Sequence, residues 1–250
     1  MAHPFFWYDI LPHPLSLVPD HTLTAFLIMA LLLLVGYCAR RSLLQAQDPV
    51  IPDERLSIRN LIELLVEFVV GLSDSIVGVK GRRHVHLFGA FFMFILTANL
   101  FGLIPGFSPP TNNFNVTLGL GLVSFVAYNY FGFREHGATY IKQFLGPMTS
   151  LPSTGRKILS FLFAPILIVS IVFFFALEGI SHMVRPASLG LRLFGNMFGD
   201  HLVLEIFTDL TPWVIPVLFY MLGALVSVIQ AFVFTLLSVI YLAMALSHEH

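Results

Sequence analysis

Charge is what this sequence has least of. Only 11% of its 250 residues are Asp, Glu, Lys or Arg, against roughly a quarter in a soluble domain. So little charge cannot cover a water-exposed surface, which excludes an ordinary soluble fold. The charges also nearly cancel, 13 basic against 14 acidic residues, so there is no basic footprint for nucleic acid. Cys38 is the single cysteine, which excludes an intrachain disulfide and any multi-cysteine metal site. No G-x-x-x-x-G-K-[ST] occurs, so a P-loop nucleotide site is absent. Residues 1–20 hold no Lys or Arg and so lack the basic start of a cleavable signal. The order of apolar runs shows no internal repeat, which argues against a transporter built from inverted repeats.

What the chain does have is apolar length. Hydrophobic residues make up 57% of it, 26 of them Phe, and the mean hydropathy is +0.85. Several runs can cross a hydrocarbon layer about 30 Å thick. The expected fold is an all-α integral membrane protein in a single membrane domain, 1–250. It has five membrane-crossing helices and one interfacial amphipathic helix. Residues 1–20 read as an external segment, with Trp7 and Tyr8 at headgroup level. His3, His13 and His21 fit no standard metal-ligand spacing, and neither a metal nor a cofactor is expected. A first span at 23–38 is followed at once by Arg40 and Arg41. The positive-inside tendency then puts the N-terminus outside and this end in the cytoplasm. Asp48, Pro49 and Pro52 break the chain.

Residues 56–76 are different. Arg59, Glu63, Glu67 and Asp74 fall along one stripe of an otherwise apolar helix, which suits the cytoplasmic interface. Packing on a soluble partner is the alternative. Spans at 87–104 and 116–133 flank an external loop rich in Pro and Asn. A cytoplasmic loop with Arg134, Lys142, Arg156 and Lys157 follows, with a short helical piece near 140–145. The rest is almost unbroken apolar sequence in two segments, 158–208 and 213–246. The second alone would make a helix about 51 Å long, so a steep tilt is expected. Pro165 and Pro186 should interrupt or kink the first segment.

Arg192 sits inside this apolar region, with no acid three or four positions away. A guanidinium keeps its proton, and placing it at bilayer depth costs at least about 2.5–3.5 kcal/mol. Either it snorkels or pairs with a distant acid of the chain, or it serves a functional site. On a helical wheel of about 100° per residue, Ser188, Ser181, Glu178, Asn196 and Gly199 fall near Arg192, and Gly195 slightly further round. Gly195 and Gly199 would let another helix approach closely. His201, Glu205 and Asp209 form a second stripe, with Asp200 between the two faces. Histidine exchanges protons near neutrality, so this stripe reads as a hydrated proton path or as residues at an interface. Gly223, Ser227 and Gln230 share a face of the last helix, from which Gln230 can bond to the Arg192 or Asn196 region.

Residues 188–197, S-L-G-L-R-L-F-G-N-M, with I-Q-A-F-V-F at 229–234, resemble the membrane-embedded subunit a of F-type ATP synthases. N-L-F-G-L-I-P-G at 99–106 and N-V-T at 115–117 continue the likeness more weakly. The resemblance implies a non-catalytic channel subunit of a rotary, proton-driven ATP synthase in the inner membrane of a bacterial cell. Its last two helices would form a hairpin beside a ring of c subunits. The b subunits of the peripheral stalk and the other synthase subunits would be further partners. Arg192, Asn196, Gln230 and Glu178 fall on functional family positions. Many bacterial members carry an acid at the position of His201 and a histidine at that of Gly223, so any relay role here has moved to the preceding helix. The rivals are a self-contained transporter or channel, a purely structural anchor, and a membrane enzyme holding a metal through His84 and His86 or through His182 and His201.

Overall fold

The computed structural model describes residues 18–45, 57–137, 140, 157–211 and 215–246; within these, the side chains of 157–171, 174, 209 and 215 are left aside. The described residues are helical apart from short turns. The helices are α1 (Asp20–Gln45), α2 (Ile58–Ile76), α3 (Val85–Gly102), α4 (Phe114–His136), α5 (Lys157–Leu210) and α6 (Ile215–Leu246). Among the described residues, four helical stretches are long and apolar enough to cross a membrane: Asp20–Gln45, Val79–Gly102, Phe114–His136 and Pro216–Leu246. The chain is an all-α, multi-pass membrane protein. The expected external segment lies outside the described residues up to position 17, and so does the helical piece at 140–145 beyond Tyr140.

Local chemistry sets the helix ends. Ser57 caps α2 by accepting from Asn60 N, and Asn113 caps α4 by accepting from Asn115 N at 2.9 Å, each satisfying an amide the helix leaves free. Gly78 and Gly137, with φ of 76° and 57°, take the positive-φ conformations after α2 and α4 that glycine alone adopts readily. α1 starts three residues earlier than its apolar run and continues through Arg40 and Arg41 to Gln45. The arginines therefore extend the helix past the span rather than ending it.

α2 packs on α1 and α3. Arg59, Val69 and Ser73 are buried in those contacts, and Arg59 Nε donates to Glu63 Oε1 at 2.6 Å. Asp74 and Arg82 form an ion pair at 2.7 Å. The hydrogen bonds from Arg82 hold the Asp74 carboxyl below the usual carboxylate range. Leu61, Leu64, Val66 and Phe68 stay exposed, an apolar face suited to lipid at the membrane surface.

α5 spans 54 residues, about 81 Å at 1.5 Å per residue, and α6 spans 32, about 48 Å. Both exceed the roughly 30 Å of hydrocarbon. α6 has no charged residue, so it stays in the apolar phase only by running obliquely. Pro165 and Pro186, expected to interrupt or kink the first of these segments, do not interrupt it: both lie within helix α5. A proline removes one backbone hydrogen bond, and a buried, packed membrane helix tolerates that local loss; Pro186 is buried.

The core is built where α3 and α4 pack on α6, and α4 on α5. Phe88, Phe91, Phe92 and Ile95 of α3 meet Ala231, Phe234, Val239 and Leu242 of α6. Ser124 donates to Ser238 at 2.9 Å between buried positions of α4 and α6. α4 and α5 approach through two glycines. A β-carbon at Gly121 would lie 2.5 Å from Pro186 O, and one at Gly190 would lie 2.9 Å from Leu118 Cα. Backbone cannot yield as a side chain does, so Gly121→Ala should destabilise the protein by about 1–3 kcal/mol. Gly119→Ala, with nothing within 4 Å, should be nearly neutral. Thermal unfolding in detergent measures both; equal stability of the two variants would contradict this packing.

Candidate functional site

The burial pattern of α5 decides where its polar residues point. His182, Pro186, Leu189, Leu193 and Met197 are buried, a stripe at helical spacing turned toward α4 and α6. Arg192, Gly195 and Asn196 are exposed, and Gly199 and Ser188 half-buried. Arg192 makes no ion pair with any acid of the described residues. Nothing lies within 4 Å of a β-carbon at Gly195 or Gly199. The close approach expected at these two glycines is not made by this chain, whose helix contact uses Gly190 instead. The face around Arg192 is left open.

Asn196 borders that face. Its Nδ2 donates to Gln230 Oε1 at 2.7 Å, joining α5 to α6 as the spacing of polar residues predicts. Gln230 is 3% exposed, and its Nε2 has no hydrogen-bond partner among the described residues. One turn away, the buried Ser227 hydroxyl donates to Gly223 O at 2.7 Å. An interhelical bond of this kind in a membrane is worth about 0.6 kcal/mol, at most about 1.7. That is smaller than the cost of Arg192 at depth, so the pair fixes geometry and does not offset the charge.

The stripe of His201 and Glu205 divides. His201 turns inward against the end of α3: a β-carbon at Gly102 would lie 2.9 Å from His201 Nε2 and 2.6 Å from Pro109 Cγ. His201 Nε2 is buried without a hydrogen-bond partner among the described residues. Glu205 is exposed, and the side chain of Asp209 lies outside the described ones. Asp200 sits against α6, where a β-carbon at Gly223 would lie 2.5 Å from its Oδ2. The carboxylate takes the space that a side chain at position 223 would fill. Nearby, Asn99 Oδ1 accepts from Thr111 Oγ1 at 2.8 Å, while Asn99 Nδ2 and Asn112 Oδ1 are buried without partners among the described residues. Among the described residues, unpartnered polar atoms thus gather around one end of α3.

Glu178 lies on the opposite stretch of α5, 3.1 Å from His182 Nε2, while Ser181 is exposed. Sequence reasoning missed Arg185, a second basic residue in this helix. Its guanidinium carbon lies 5.5 Å from the ring centroid of Tyr241, within electrostatic reach of Tyr128 and Tyr140. The available signal was its place two helical turns before Arg192 and two after Glu178. His84 and His86 lie far along the chain from this site, and among the described residues no three His, Cys, Asp or Glu side chains come together.

Comparison with known proteins decides the family. The sequence profile of the family described as ATP synthase A chain matches residues 22–243. The chain belongs to this family. It is similar to ATP synthase subunit a of Bdellovibrio bacteriovorus, 42% identical over 217 residues, 86% of each chain. It is similar to ATP synthase subunit a 1 of Syntrophotalea carbinolica, 40% identical over 92% of this chain and 87% of the relative. With ATP synthase subunit a 3 of Pelobacter propionicus, identity is 38% over the full length of both.

Within the family's helical frame, the burial contrast between Asn196 and Gln230 sets a test. Asn196→Leu strands the buried Gln230 amide completely and should destabilise by about 1–3 kcal/mol. Gln230→Leu leaves only the exposed Asn196 and should cost less, and the double Leu variant should recover part of the loss. A double-mutant cycle by thermal unfolding reads this; a Gln230→Leu variant less stable than Asn196→Leu would contradict the geometry.

Proposed function

We propose that this chain is the channel subunit of a rotary F-type ATP synthase, providing two proton half-channels that load and unload the carboxylates of a c-subunit ring. The observation that carries the reading is the open face of α5, where Arg192 is exposed without a counter-charge beside Gly195 and Gly199, which nothing in the chain approaches. The missing counter-charge is the ion-carrying carboxylate of a second chain. An opposite charge at a few ångströms favours the ionised carboxylate. Arg192 therefore promotes proton release from each carrier as it passes. Its fixed positive charge also bars protons from crossing directly between the two access paths.

The outer half-channel runs along Asp200, His201 and Glu205, with the orphaned amides near Asn99 and Asn112 supporting a water-filled route. The inner one runs along Glu178 and Ser181. Asn196 and Gln230 set the register between the helices at the crossing point. Each elementary charge moved across 100 mV supplies about 2.3 kcal/mol, the driving term for rotation. The chain has no P-loop motif and makes no ATP itself; the nucleotide chemistry belongs to other subunits. The b subunits of the peripheral stalk hold it against the turning ring. Its single membrane domain, 1–250, lies in the bacterial inner membrane with the N-terminus outside and the C-terminus in the cytoplasm. A self-contained channel would leave Arg192 with nothing to pair.

Arg192→Ala should abolish ATP-driven proton pumping and coupled ATP synthesis in inverted vesicles while subunit content by blotting stays normal. Arg192→Lys should also be poor, because an ammonium loses its proton more readily when buried and lacks the planar fork. Near-normal coupled synthesis in a fully assembled Arg192→Ala complex would overturn the mechanism.

A further inference from the structure

The outer surface of α3 and α4 holds a feature that the proton path does not use. The two helices follow one another in the chain and both pack on α6, yet they hardly touch each other. A slot of about 440 Å³ opens between them, lined by His86, Leu87, Leu122, Val126, Tyr130 and Phe131 among others. Its walls are apolar, and Leu122, Val126 and Tyr130 remain exposed.

One end of the slot is charged. Arg83 precedes His86 by three residues, and Arg134 follows Tyr130 by four. Helical spacing puts one arginine beside each wall. The buried His84 lies within electrostatic reach of both, and its ring stands 4.0 Å from that of Phe131, tying the two walls together at this end. The neighbouring cations are already neutralised, Arg82 by Asp74 at 2.7 Å and Lys80 by Glu135 at 3.1 Å. Arg83 and Arg134 form no ion pair among the described residues. An apolar slot with two guanidinium groups at its mouth, Glu135 standing within electrostatic reach of Arg83, matches a ligand with an apolar tail and an anionic head.

We propose that this slot is a binding site for an anionic glycerophospholipid, with one acyl chain between α3 and α4 and the headgroup phosphate between Arg83 and Arg134. Basic pockets between membrane helices select anionic headgroups in this way, and guanidinium forks suit phosphate oxygens. A zwitterionic headgroup would bring its own cation against the two arginines. The bound lipid would close the gap between two consecutive helices.

The test uses the intact complex in mild detergent with two photo-reactive lipids, a phosphatidylglycerol and a phosphatidylcholine of the same acyl chains. Labelled peptides are mapped by mass spectrometry. Phosphatidylglycerol should label residues 122–131 about tenfold more than phosphatidylcholine. In an R83Q/R134Q variant that preference should vanish, while labelling around the exposed Leu33 and Leu34 of α1 stays unchanged. Val126→Trp, which fills the slot and keeps both arginines, should suppress labelling of 122–131 by both lipids, so the proposal stays testable if the double variant assembles poorly. Equal labelling by the two lipids, or a preference that survives R83Q/R134Q, would overturn it. So would capture of another polypeptide by a photo-reactive residue at position 126.

Discussion

An arginine in the middle of an apolar helix, left without a counter-charge by its own chain, is the constraint on which the rest of this structure depends. Its cost at bilayer depth, at least about 2.5–3.5 kcal/mol, exceeds what the Asn196–Gln230 bond returns. The fold does not relieve that cost internally. The buried stripe from His182 to Met197 faces α4 and α6, so Arg192 must face away. Gly121 and Gly190 lock this orientation, because their missing side chains let α4 and α5 approach at backbone distance. Two further glycines, Gly195 and Gly199, are left uncovered beside the arginine. Small residues thus appear twice on one helix, once as a completed contact and once as a vacant one.

The same economy of side chains shapes the surroundings of Asp200 and His201. Gly223 makes room for the Asp200 carboxylate, and Gly102 for the imidazole of His201. The titratable groups of this region stand on α5, while the helices facing them supply space. This arrangement gives physical content to the exchange of residue types at positions 201 and 223 expected from the family resemblance. A histidine at 223 and the present Asp200 would compete for one volume.

Much of this was legible in the sequence because membrane helices expose their exceptions. Arg192, Asn196 and Gln230 stand out against apolar neighbours; spacing puts Gln230 on a polar face able to reach the 192–196 region, and the family resemblance singles it out. Other features depend on contacts between distant segments and left no local mark. Gly190 and Gly195 look alike in sequence, yet only Gly190 packs, because its partner Leu118 lies on α4. The stripe of His201 and Glu205 has one period, but α3 covers His201 and leaves Glu205 exposed. Pro186 signals an interruption or a kink by local geometry, yet the helix runs on through it, with Pro186 itself buried. Arg185 sits beside a proline in a way that resembles a helix end, which hid its place over Tyr241.

The central claim is that the counter-charge of Arg192 comes from a second chain that covers Gly195 and Gly199. The most direct measurement is cysteine cross-linking in native membranes, with Cys38→Ser as background and Gly195→Cys or Gly199→Cys as the probe. The account predicts that each probe forms an oxidative adduct with single cysteines introduced beside the carrier carboxylate of the c subunit. Gly190→Cys, facing α4, should form none. Absence of any adduct from positions 195 and 199 in an assembled complex, or equal adduct formation from 190, would contradict it.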